Sequence, residues 1–196
     1  MRTFLKAAVA VAALTATPVV AQVAVADLDA AVSQSAAYQT AEAQIKATYK
    51  TQIDAFNARQ TALGSQLKPM QAEIETLQAN PATPRATLEA KVNAFRTVQA
   101  NAQRELQGLA APFARPTAYA QAQVGEKLTE AVKAAMNAKG VKIIISPEAT
   151  LAVSPDANLN PAIVAQLNTL VKTVSTSPPA NWQPGQPTTA AAPAGR

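Results

Sequence analysis

The side chains of this sequence that could do chemistry are carboxylates, lysines and hydroxyls, because it contains no histidine and no cysteine. Disulfides, Cys or His metal sites, thiol nucleophiles and Ser-His-Asp machinery are thereby excluded. Two carboxylate pairs stand close enough in sequence to invite an acid and base reading: Glu73 with Glu75, and Glu126 with Glu130. Acid–base work needs two carboxyls in unlike surroundings, so that one holds its proton when the other does not. Glu126 and Glu130 share a helical face, but Lys127 and Lys133 lie beside them, as in ordinary surface ion pairs. The six glycines are scattered and form no phosphate-cradling loop. The sequence reads as a binding or scaffolding protein and not as an enzyme, with no cofactor and no metal.

Binding chemistry is better supplied. Lys46, Lys50, Arg59, Lys68, Lys91, Arg96, Arg104 and Arg115 fall in one stretch, and between Ile45 and Arg115 nine basic residues stand against five acidic ones, a net of +4. Such an excess steers acidic partners or anionic lipid headgroups. For any single cation the alternative is that it solvates the outer face of a helix. Tyr49, Phe56, Phe95 and Phe113 offer apolar contacts in the same stretch, although their spacing favours packing among themselves.

That spacing is heptad. Tyr49, Phe56, Leu63, Met70 and Leu77 lie seven apart, with Ile53, Gln60, Leu67 and Ile74 at the alternate positions, and only Gln60 of these nine is polar. A stripe of this kind argues for a coiled-coil helix, which Pro69 should kink. Residues 80–85 (NPATPR) hold two prolines and form a turn. The pattern resumes at Leu88, Val92, Phe95, Gln99, Ala102, Leu106, Leu109 and Phe113, again with one polar position. Two seams joined by a short turn imply an antiparallel hairpin, with positions whose numbers sum to about 165 facing each other. Leu77 then meets Leu88, Met70 meets Phe95, Leu63 meets Ala102 and Phe56 meets Leu109. An arm that begins near Ser35 is about 65 Å long. Pro112 and Pro116 are expected to interrupt the return helix, and a further helix follows, ended by Gly140.

The rest is small. Of 196 residues 48% are apolar but only 4% aromatic, so the core is mostly alanine and valine and correspondingly thin. Residues 22–27 and 141–145 read as strands, and 150–153 as a third. The first strand runs into the arm and the second out of it, so they are expected side by side and antiparallel. A last helix is expected with Asn160 as its cap and Pro161 at its first position. Three short strands and a helix bury too little to stand alone, so Val23, Val25, Val141, Ile143, Ile144, Ile145, Leu151 and Val153 are read as an oligomerisation body. Residues 175–196, rich in proline and alanine, are expected to be disordered, with Trp182 exposed. Residues 1–21 carry Arg2 and Lys6, an apolar run and small residues ending at Ala21, the layout of a cleaved secretory signal. Its loss lowers the net charge from +5 to +3, a poor basis for nucleic-acid binding.

The expected class is α+β: residues 35–138 form a coiled-coil arm with its tip at 80–85, inserted in a body made of 22–34 and 139–174. This plan resembles the Skp (OmpH-like) periplasmic chaperones. The matching stretches are QVAVADLDAAVSQSAAYQ, the hairpin with its NPATPR tip, and GVKIIISPEATLAVS. The resemblance implies a periplasmic homotrimer in which three arms enclose a cavity. Unfolded outer-membrane proteins would be held there without ATP and kept from aggregating. The family's arms are richer in lysine and arginine than this one. A second reading is an adaptor that docks an envelope partner through its hairpin tip, and a third is a passive envelope spacer.

Overall fold

The structure, a computed structural model, describes residues 22–188; the expected signal segment and the last eight residues of the tail lie outside them. Strand β1 (Gln22–Val25) leads into a short helix α1 (Leu28–Ser33), then α2 (Ala36–Thr48) and α3 (Lys50–Ala79). After the tip, α4 (Arg85–Gly125) returns, followed by α5 (Leu128–Lys139) and β2 (Val141–Ile145). Two single 3-10 turns (Pro147–Ala149 and Pro155–Ala157) precede the last helix, α6 (Asn160–Leu170).

Local chemistry accounts for the element ends. The Asp27 carboxylate accepts from the Ala30 amide and opens α1, and the Ser35 hydroxyl does the same for α2 from Tyr38. Gly140 closes α5 at φ 68°, a left-handed conformation that glycine adopts at little cost. Asn160 is not the cap it is expected to be. Leu159 occupies that position, and the Asn160 amide group instead bonds both the N–H and the C=O of Asp27, at 2.9 and 3.0 Å. It pins α6 to the end of β1.

The arm forms as the heptads require, but its seam sidesteps. Arg59 and Val98 are half-buried where Gln60 and Gln99 are exposed. A straight helix gains on a strict heptad, so a neighbouring position can take the seam's place. The amides thereby stay in water, where they need no partner. Leu63 and Ala102 are the two buried residues of the arm between 50 and 110, and the cross-hairpin ion pairs Arg59 with Glu105 and Lys91 with Glu73 agree with the expected register. Phe56, expected at the level of Leu109, packs edge to face on Phe113 with ring centroids 5.8 Å apart. Helical side chains lean towards their own N-terminus. Phe56 therefore leans to the base and Phe113 to the tip, and they meet one turn beyond their backbone level.

Neither Pro112 nor Pro116 interrupts the return helix. α4 runs through both for 41 residues, about 60 Å. Each proline removes one helical hydrogen bond, but tertiary contacts hold the segment: Phe113 lies on Phe56 and Pro116 is buried.

The body contains two strands, paired parallel, with Val23 opposite Ile143 and Val25 opposite Ile145. The antiparallel expectation fails because it takes account of one chain reversal, the arm tip. A parallel pair requires an even number, so the junctions between the strands and the arm must supply a second reversal. The expected third strand is absent among the described residues. Leu151 and Val153 lie in irregular chain between the two 3-10 turns, and only Asn158 bridges to Val25. The core lies where α1, α5, α6 and the end of α4 converge. Val124, Ala131, Ala135, Ile163 and Leu167 are fully buried there. Alanine at so many of these positions lets the helices approach closely.

Candidate interaction surfaces

The structure divides the arm cations by what each touches. Lys46 pairs with Glu42 and Lys50 with Asp54, one helical turn apart. Two pairs cross the hairpin: Lys91 with Glu73 at 2.7 Å, and Arg59 with Glu105 at 2.7 and 2.8 Å. The Arg59 fork holds the Glu105 carboxyl below its ordinary value, chiefly by hydrogen bonding to the charged form. Arg104 donates to the Asn101 side chain. Lys68 and Arg96 have no acidic partner among the described residues, and both are exposed. The four ion pairs are surface pairs, which hold geometry more than they stabilise.

Arg115 differs. It lies at the base of α4 and donates to the backbone carbonyls of Trp182 (3.0 Å), Ala180 (2.7 Å) and Pro179. The tail expected to be disordered is docked here over 175–188. Trp182, expected to be exposed, is only 4% exposed and packs edge to face on Tyr119 with centroids 4.9 Å apart. Gln123 donates to the Ser175 carbonyl and accepts from its amide, at 2.8 and 2.9 Å. Glu126 accepts from the Thr188 amide. The tail leaves α6, runs along α4 to Arg115, turns at Gly185 (φ 90°) and comes back to Glu126. Low complexity hides this docking in the sequence. The available signal is a lone tryptophan in a proline-rich segment, facing residues four apart on a helix.

The carboxylates considered for catalysis are engaged elsewhere. Glu73 pairs with Lys91, Glu130 with Lys127, and Glu75 accepts from Gln71. Among the described residues no group of acidic side chains gathers that could hold a metal, and no helix is long and apolar enough to cross a membrane.

The residues read as an oligomerisation body do not share one environment. Val25 and Val141 are buried within the protomer, and Ile144 and Ile145 are half-buried. Val23 is 47% exposed, Ile143 51%, Val153 41%, and Leu151 lies fully in solvent. Exposed β-branched residues on a two-stranded sheet form an apolar patch with unpaired strand edges.

The family model described as "Outer membrane protein (OmpH-like)" matches residues 22–167. No curated protein matches the chain. Among solved structures, an OmpH-like candidate outer membrane chaperone from Caulobacter crescentus is 21% identical, with a TM-score of 0.44 over 81% of this chain and 90% of that one. The matched residues take in β1, both rods of the arm, β2 and most of α6, and on that extent the chain belongs to the OmpH-like family.

Proposed function

We propose that this protein is an exported, ATP-independent holding chaperone that keeps unfolded outer-membrane proteins from aggregating in the periplasm, and that it works as a homotrimer. Membership of the OmpH-like family supports a chaperone role. The observation that carries the reading is the arm. Two long helices share a seam in which, between 50 and 110, only Leu63 and Ala102 are buried, so a half-exposed apolar stripe runs along the hairpin. Such a surface offers many weak contacts and no pocket, which suits binding many sequences and letting them go. Lys68 and Arg96, free of acidic partners among the described residues, are the arm cations left to meet acidic client segments or anionic headgroups. The exposed side chains of Val23, Ile143, Leu151 and Val153 are the surface for self-association.

The test is light scattering from a β-barrel protein diluted out of urea. Stoichiometric trimer is expected to suppress it in the absence of ATP. Aggregation that proceeds unchanged, with the protein folded and in excess, overturns the reading.

A further inference from the structure

The face of α4 that receives the tail reads backbone rather than sequence. Arg115, Tyr119 and Gln123 lie four apart along it, with Glu126 at the helix end. Arg115 has no carboxylate partner among the described residues; its guanidinium fork is spent on three carbonyls. Gln123 treats Ser175 as a strand would, donating to its C=O and accepting from its N–H. One tail side chain is read, the Trp182 ring on Tyr119. Beside it a cavity of about 660 Å³ lies between Ala111, Ala114 and Ala118 of α4 and Ala180, Asn181 and Pro184 of the tail. Carbonyls and amides belong to every peptide, and an edge-to-face contact accepts any aromatic ring.

We propose that this face of α4 is a binding site for an extended polypeptide segment carrying an aromatic residue, that residues 175–188 are its resident occupant, and that an unfolded client segment displaces them. The proposal rests on the holding-chaperone reading and gives it a site and a guard. The tail is the template for the ligand: extended, and read through its carbonyls and one ring. Its prolines keep it from building a helix or strand elsewhere. Because it is tethered, modest contacts keep it docked, and a client must outcompete a high local concentration. Segments without a ring, or already folded, fail to do so. The tail thus restricts the site to chains that present aromatic side chains in extended backbone.

Trp182 is the only tryptophan of the chain, so its emission reports docking without a label. The probe is a synthetic peptide of alanine and proline with one central phenylalanine and no tryptophan. Its control carries alanine in place of the phenylalanine. In the unaltered protein the phenylalanine peptide is expected to shift Trp182 emission to the red and raise acrylamide quenching severalfold, and the control to do neither. Emission unmoved at saturating peptide overturns the proposal, and this measurement needs no variant to fold. In a second arm, anisotropy of the labelled peptide is expected to show Trp182→Ala binding about three- to tenfold tighter than the unaltered chain, since its competitor has lost an aromatic pair. Arg115→Gln is expected to bind more weakly than Trp182→Ala. Equal or weaker binding by Trp182→Ala overturns the proposal. Scattering suppression with emission unmoved sinks the guarded site alone, whereas displacement without suppression sinks the holding role.

Discussion

Arg59 reaches across the hairpin and grips the Glu105 carboxylate with two hydrogen bonds of 2.7 and 2.8 Å, at the level where the polar residue Gln60 is turned out of the seam. The aliphatic stem of Arg59 fills the place in the seam and its head fixes the register. Because the fork depresses the Glu105 carboxyl, the contribution of this pair is present above the ordinary carboxylate range and is lost as pH falls through the depressed value. Thermal melts followed by helical circular dichroism at stepped pH should show a small acid-side loss of stability in the unaltered protein that Glu105→Gln lacks. Identical acid-side slopes in the two proteins would refute this account of the pair.

Leu63 is the one large buried side chain of the arm between 50 and 110, and the hairpin register places Ala102 opposite it. Leu63→Ala leaves two alanines facing each other and is expected to cost about 2–3 kcal/mol, the lower part of the usual range because the seam is open to collapse. The swap Leu63→Ala with Ala102→Leu restores the volume and should recover more than half of that loss, as neighbouring sites do not add. Thermal denaturation of the two variants settles the matter, and additive losses would count against the pairing.

Gly140 sits at φ 68°, and a Cβ added there meets nothing closer than the Gln22 side chain at 3.7 Å. The cost of Gly140→Ala is therefore conformational and not steric, about 1 kcal/mol. Gly140→Asn should cost less, since asparagine tolerates the left-handed region. Denaturant midpoints of the two variants check this order.

Val23 and Ile143 face each other in the strand register and are both about half exposed. Ile143→Lys or Val23→Glu adds a charge to a surface already in water within the protomer, so helical content should be unchanged. The solution mass from light scattering should fall to that of one chain. A mass unaltered by both substitutions would place self-association elsewhere.

The tip makes a self-contained turn: the Asn80 side chain accepts from the Ala82 amide, and its carbonyl accepts from Thr83. Replacing Pro81 to Arg85 with a neutral loop of equal length is expected to leave scattering suppression within twofold of the unaltered chain. An adaptor that docks through its tip would lose its activity instead.

The two rods, their proline elbow and the register in which they face each other follow from residue types and spacing alone. They are local properties, set by a helical period that a linear pattern displays. What the tertiary structure decided is of another kind. Strand direction depends on the parity of chain reversals, and the junctions between strands and helices join elements whose relative direction no periodicity records. The continuity of α4 through Pro112 and Pro116 depends on Phe56 and the buried base of the arm, which outweigh the loss of two helical hydrogen bonds. Only that unbroken helix sets Arg115, Tyr119 and Gln123 in one line. The docking of Trp182 follows from that line, a surface assembled by folding, to which a proline-rich tail contributes backbone carbonyls that every sequence possesses.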